Sequence, residues 1–282
     1  FVHWAPSNPK DYLNPSLWMT EAFPALEEKE SWMFCLPFPT ENGTSLVLGA
    51  KGKDAEIGIL NPSDDPRNLG GWTWHPIYDA GWIMSLVWED LDFDGDPDLL
   101  FSDRKGENPG VQWLENPGGE DPTLGDWIDH RIGPKDEVMF LDTGDLDGDG
   151  DLDIVCAVRL GAFQVLLREG PAAMEWECLR VSPPENSGSL KAVRMADLNL
   201  DGRKDLVYTT EMAEGKDGVV VLFQPEDLRQ NDWDSFSISG DKVGIKFDLL
   251  EMIDLDGDGD LDLLTCAERE NLGVFWYENP GF

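Results

Sequence analysis

Residues 145–155 read DLDGDGDLDIV, and residues 254–264 read DLDGDGDLDLL. In each, five aspartates alternate with other residues over nine positions. Carboxylates this close repel one another by roughly 1 kcal/mol per pair even in a water-like dielectric. Either the segment is a solvated acidic tail or a cation sits among the oxygens. Each acidic run leads directly into an apolar one, IVCAV at 154–158 and LLTCA at 263–267. Acidic tails do not do that.

The same word recurs as DLDFDGDPDLL from Asp90 and DLNLDGRKDLV from Asp197, so the loops start at 90, 145, 197 and 254. TENGTSLVLGA (40–50) reads as a degenerate first copy that keeps the glycine and the apolar run. Two further words recur in phase. One is an apolar strand ending in a turn, as in VQWLENPGG (111–119), FQVLLREGP (163–171), VVVLFQPED (219–227) and VFWYENPGF (274–282). IGILNPSDD (57–65) and FVHWAPSNP (1–9) fit it as well. The other is a Trp-led strand: LWMTEAF (17–23), WTWHPIY (72–78), WIDHRIG (127–133), WECLRVS (176–182) and WDSFSIS (233–239). With the apolar strands on either side of each acidic loop, every period holds four short strands bounded by Gly, Pro and Asn. Four strands in about 50 residues is the arithmetic of a β-propeller blade. The expected fold is all-β, a propeller of four-stranded blades with five repeats visible.

The whole chain, 1–282, is expected to form one propeller domain: 1–33 the end of a blade, 34–83, 84–137, 138–189 and 190–245 full blades, and 246–282 a partial closing blade. The chain opens at Phe1 without a signal-peptide pattern. It reads as processed, or as the greater part of a seven-bladed ring whose further blades belong to a longer parent.

Hydrophobic content of 41% and 12 tryptophans exclude a disordered chain, despite a formal charge of −36. That charge makes nucleic acid or an anionic membrane surface an improbable partner and suits a cation binder. No run approaches the ~18 apolar residues of a membrane-spanning helix, so no membrane insertion is expected. Cys35, Cys156, Cys178 and Cys266 have no metal-ligand spacing and read as isolated buried thiols, with disulfide status open.

These loops and strand words resemble FG-GAP/VCBS repeats, the blades also found in integrin α-subunits, over about residues 34–282. The resemblance implies a calcium loop between the first and second strands of each blade. The chemistry agrees, since Ca²⁺ takes six to eight hard oxygen ligands in flexible geometry. Positions 1, 3, 5 and 9 supply carboxylates, position 7 a backbone carbonyl, and glycine at position 6 permits the turn. The sets are Asp90, Asp92, Asp94, Asp96 and Asp98; Asp145, Asp147, Asp149, Asp151 and Asp153; Asp197, Asn199, Asp201, Arg203 and Asp205; and Asp254, Asp256, Asp258, Asp260 and Asp262. Up to four Ca²⁺ are expected, the third site being weakest because Asn199 removes a charge and Arg203 and Lys204 add two. An EF-hand is excluded because position 12 holds Phe101, Cys156, Tyr208 or Thr265 in place of glutamate. Sites of millimolar affinity contribute only where calcium is abundant, so an extracellular or periplasmic location is expected.

If the calcium loops share one face, the loops between second and third strands share the other. Six residues after each loop's last aspartate stands a charge: Arg104, Arg159, Glu211 and Glu268, with Lys51 in the degenerate copy. These are expected to ring the mouth of the central channel as ligand-binding residues. Asp142, Arg194 and Glu251 share a position on the innermost strands and are expected to face the channel, Arg194 and Glu251 as further ligand-binding residues. Trp72, Trp74 and Trp82, flanking an expected loop at 76–81, offer an aromatic surface for a sugar. His3, His75 and His130 do not cluster in the repeat alignment, and no hydrolase, P-loop or dinucleotide motif is present. The leading expectation is a calcium-stabilised extracellular module binding a glycan or an extracellular protein. The alternative is a sugar-active lyase or dehydratase at the channel mouth, drawing on Arg104, Arg159 or Arg194 with Glu211, Glu251 or Tyr78; no catalytic residue is assigned.

Overall fold

Apolar runs of five to seven residues bounded by turns become the strands. In the computed structural model, described at residues 1–27, 29, 31–40, 43–119, 121–170, 175–230 and 232–281, the only helical segments are short 3₁₀ turns. Strands pair antiparallel with their chain neighbours throughout, as sheets of a β-propeller. One sheet comprises Val138–Gly144, Asp153–Val158, Phe163–Arg168 and Trp176–Val181; the next comprises Ser189–Ala196, Asp205–Glu211, Val219–Phe223 and Asp234–Ser237. The last has three strands, Phe247–Ile253, Asp262–Ala267 and Gly273–Tyr277. Near the start, Val2–Trp4 pairs with Met19–Glu21.

The blade count departs from expectation. Four larger sheets form where five were expected, because 34–83 and 84–137 share one six-stranded sheet. Thr73–Glu89 is continuous: its first half pairs with Gly43–Asn61 and its second, from Ile83, with Asp98–Asp103. The outer strand of one repeat thus runs without a break into the inner strand of the next. Residues 76–81 consequently lie within a strand, where a loop was expected.

Second strands lie mid-sheet and are covered on both faces. Asp98–Asp103, Asp153–Val158 and Asp205–Glu211 are buried at every residue. Outer strands are wetter, half-buried at Trp176–Val181 and mostly exposed at Asp234–Ser237. Between repeats the gaps are filled from both sides: Phe38 against Trp88 (ring centroids 4.8 Å) and Trp127 (6.2 Å) within the six-stranded sheet, and Phe163 against Tyr208 (4.9 Å) between two sheets. Buried hydroxyls clip one blade to the next blade's inner strand, Ser102 Oγ donating to the Met139 carbonyl (2.7 Å) and Thr209 Oγ to that of Asp248 (2.6 Å). Such groups cost free energy unless paired.

A cavity of about 360 Å³ at the centre is lined by Phe34, Val87, Phe140, Arg194, Leu249 and Glu251, drawn from the inner strands of all five repeats. That shared cavity is the propeller axis.

Of the cysteines only Cys156 is buried. Cys35 and Cys178 are exposed, against the expectation of buried thiols, and all four are free. Cys178 lies on a half-wet outer strand, and Cys35 on Trp32–Thr40 at the edge of the six-stranded sheet.

Candidate metal loops and channel mouth

Each acidic loop is a spiral of Asx turns. The N–H at position 5 donates to Oδ1 at position 3, and the N–H at position 7 to Oδ1 at position 5. In the second loop these are Asp149 to Asp147 (3.2 Å) and Asp151 to Asp149 (2.9 Å); the first, third and fourth repeat them. Position 6 is left-handed in all four, at Gly95, Gly150, Gly202 and Gly259 (φ 89–101°), which only glycine adopts freely. Position 4 is left-handed too. Gly148 and Gly257 take it without strain, whereas the first and third loops force it on Phe93 (φ 63°) and Leu200 (φ 57°).

Oxygens of Asp90, Asp92 and Asp94 lie within 4.8 Å of one another, as do those of Asp145, Asp147 and Asp153, and of Asp254, Asp256 and Asp262. Two ligands of one Ca²⁺, each about 2.3–2.6 Å from it, can be no more than about 5 Å apart. The donor sets therefore fit one hard cation each. Buried oxygens without a partner, Asp90 Oδ1 and Asp260 Oδ1, mark two of the same loops. Asp98, Asp149 and Asp258, expected ligands, lie outside these triads. Asp96 and Asp151, at position 7, are held by the Asx turns.

The third loop differs. Arg203 pairs with the Asp201 carboxylate and donates Nε to the Gln224 carbonyl (3.1 Å), and Asn199 Nδ2 donates to Asp201 Oδ2 (3.0 Å). A guanidinium and an amide thus engage Asp201, which leaves Asp197 and Asp205 as that loop's other carboxylates.

Position 9 has a second role that spacing alone does not reveal. Asp98, Asp153, Asp205 and Asp262 are each at most 1% exposed. Every one accepts two backbone N–H groups: one from loop position 2 (Leu91, Leu146, Leu198, Leu255) and one from the end of the third strand (Asn116, Arg168, Gln224, Asn279), all at 2.8–3.1 Å. Burial pushes the carboxyls of Asp98 and Asp153 up to about 6 against these hydrogen bonds. A cation in the loop would favour the ionised form. Three of the third-strand residues also reach the preceding blade: Arg168 Nη2 donates to the Leu91 carbonyl (2.5 Å), Gln224 Nε2 to Leu146 (2.9 Å) and Asn279 Nδ2 to Leu198 (3.5 Å). The first three loops are thereby anchored to their own sheet and to the next, and the fourth to its own.

At the opposite strand ends, all five residues expected at the mouth join one network. Arg104 and Arg159 flank Glu137, each 3.9 Å from Oε2. Arg159 Nε donates to Glu211 (3.0 Å), and buried Lys191 stands 4.0 Å from Glu211, 3.4 Å from Asp248 and 3.5 Å from Glu268. Lys246 pairs with Glu268 and, with Lys191, holds it below its ordinary value despite burial. On the other side the Arg104 guanidinium lies 4.7 Å and the Lys51 ammonium 4.9 Å from the Trp82 ring centre. Glu137, Lys191, Lys246 and Asp248 were not singled out in sequence, because they open inner strands whose ends the repeat words do not mark.

Asp103 builds the Trp82 corner. Its carboxylate accepts from the N–H groups of Gly81 (2.8 Å), Trp82 (2.7 Å) and Lys105 (3.0 Å), and the Arg104 N–H donates to the Trp82 carbonyl (2.8 Å). Gly81 passes so close that a Cβ there would lie 2.2 Å from the Lys105 backbone. Gly81→Ala should therefore lower stability by roughly 1–3 kcal/mol in a urea midpoint; an unchanged midpoint would show that the corner yields freely.

Two expectations do not hold. Trp72, Trp74 and Trp82 form no common shelf: Trp72 packs on Phe23 (5.1 Å) and Trp74 on Trp32 (5.0 Å), leaving only Trp82 at the mouth. Tyr78 packs on Phe101, bonds Gln112 (3.3 Å), and is pushed up to about 12 mainly by burial, so it is no base near neutrality. Asp142, Arg194 and Glu251 do meet in the channel, Arg194 lying 3.5 Å from Asp142 and 2.9 Å from Glu251. His130 stacks on Trp113 (4.3 Å) and His3 bonds Thr20 (2.9 Å), apart from each other.

The chain matches no family model and no curated protein. Among the described residues no helix is long and apolar enough to cross a membrane.

Proposed function

We propose that this chain is a calcium-stabilised propeller of the FG-GAP/VCBS type that binds a glycan outside the cell at the channel mouth. The observation that carries the reading is the repeated oxygen triad, three carboxylates within 4.8 Å in each of three loops. Asp90, Asp92 and Asp94, Asp145, Asp147 and Asp153, and Asp254, Asp256 and Asp262 would hold the ions, which supply positive charge that lets the loops close. All-oxygen donor sets favour Ca²⁺ over Zn²⁺ or copper. Extracellular calcium suits loops this open to solvent.

Ligand binding is placed at the mouth because charged side chains of five repeats converge there, away from the loops. Sugar hydroxyls are served by carboxylates such as Glu211 and Asp248, and by donors such as Arg159. Binding is favoured over elimination chemistry because Arg194 and Glu251 neutralise each other and Tyr78 stays protonated. The test is affinity electrophoresis of calcium-loaded protein through gels containing a panel of polysaccharides, with Arg159→Ala alongside. Retardation by a glycan that Arg159→Ala weakens is expected, with no ultraviolet-absorbing unsaturated product. Free migration in every gel, or unsaturated product that Arg159→Ala abolishes, would overturn the reading.

A further inference from the structure

Only 21 lysines and arginines stand against 57 acidic residues in this chain, yet three of them converge on one indole. Lys51, Arg104 and Lys105 lie 4.9, 4.7 and 5.0 Å from the Trp82 ring centre. Lys51 comes from one repeat and the other two from the next, so the cluster straddles two blades. Like charges at such range repel, and the ring quadrupole offsets only part of this. Burial and the nearby Arg159 charge both hold Arg104 below its ordinary value.

The cluster is short of acceptors. Among the described residues, neither Lys51 nor Lys105 has a carboxylate within ion-pair distance, and Arg104 has only Glu137, at 3.9 Å, shared with Arg159. The Arg104 side chain is 12% exposed and makes no hydrogen bond to a described residue, and its Nε is buried with no hydrogen-bond acceptor, Glu137 Oε2 standing off at 3.9 Å. Beside it, Trp82 Nε1 is a second buried donor without an acceptor. Buried donors are nearly always paired. The corner is also held in place, through the three N–H groups on Asp103 and the close passage of Gly81.

We propose that the Trp82 corner is a subsite for the anionic group of an acidic sugar, a carboxylate or a sulfate ester. A planar guanidinium matches either oxyanion with paired donors, and the two ammonium groups add charge. The same sugar's hydroxyls would meet the carboxylates Glu211 and Glu268 along the ring. The inference rests on the glycan reading above and narrows it to acidic glycans. A neutral sugar would leave the cationic repulsion and the orphan donors in place.

The experiment is isothermal titration of calcium-loaded protein with three short oligosaccharides: a galacturonic acid trisaccharide, a sulfated galactose oligosaccharide and a neutral galactose trisaccharide. Short chains avoid bridging through calcium. At least one acidic ligand should bind tenfold or more tighter than the neutral one, with affinity falling as salt rises. Whether the uronate or the sulfate ester binds identifies the anion. Arg104→Gln and the double variant Lys51→Gln/Lys105→Gln should each lose tenfold or more, whereas Lys10→Gln, on the N-terminal segment, should lose nothing. Because Arg104 is largely buried, its variant is read only if its calcium-dependent melting is preserved; the more exposed double variant decides otherwise. Equal binding of neutral and acidic ligands, or acidic binding that survives the double variant, overturns the subsite and leaves the glycan module standing. No binding by any of the three, together with free migration in every polysaccharide gel, overturns both.

Discussion

Removing calcium should lower the melting temperature by about 15–30 °C. At a calcium concentration a hundredfold above its dissociation constant, each site stabilises the folded state by about 2.7 kcal/mol. Three triads, Asp90/Asp92/Asp94, Asp145/Asp147/Asp153 and Asp254/Asp256/Asp262, then contribute about 8 kcal/mol, comparable with the whole stability of an ordinary domain. For a chain of this size 1 kcal/mol moves the midpoint by about 2–4 °C, which gives the stated range. The measurement is a thermal melt in chelator, in Ca²⁺ and in Mg²⁺. Magnesium should restore little, because it dehydrates reluctantly and demands octahedral geometry. A midpoint indifferent to Ca²⁺ would remove the metal from the account of this fold.

The second expected result separates two functions of the aspartates within one loop. Asp153→Ala should destabilise the protein by about 2–6 kcal/mol even in chelator, since it strands two buried N–H groups, of Leu146 and Arg168, at about 1–3 kcal/mol each. Asp153 is fully buried and accepts both, at 2.8 and 3.1 Å. Asp149 is exposed and, among the described residues, accepts one backbone N–H, that of Asp151 (2.9 Å). Asp149→Ala should therefore change stability in chelator by no more than about 0.5 kcal/mol. Urea midpoints of both variants, with and without calcium, make the comparison. Equal losses in chelator would mean that position 9 is a metal ligand only, and that its cross-strand clip is energetically idle.

The clip shows why part of the candidate site was legible in sequence and part was not. Alternating aspartates with glycine at position 6 declare a cation loop, because ligand number and turn geometry are local properties. What Asp98, Asp153, Asp205 and Asp262 grip on their second oxygen depends on where the third strand ends, 15–19 residues on. Likewise Gln224 and Asn279 fall in the strand-ending turn words, but nothing local in those words shows that their side chains reach a carbonyl of the preceding blade.

The amino-acid sequence alone determined the all-β class, the four-stranded period, the acidic loops, and the charged residue that ends each second strand. These follow from hydrophobic periodicity, turn chemistry and carboxylate spacing, all set within a few residues. Only the tertiary structure decided that two repeats merge through Thr73–Glu89, that Trp72 and Trp74 turn away from the mouth, and that Lys51, Arg104 and Lys105 converge on Trp82. It also paired Arg194 with Glu251 across the channel. The reason is physical: repeat register places residues at equivalent positions, but sheet stacking sets which charges on neighbouring blades come within a few ångströms of one another.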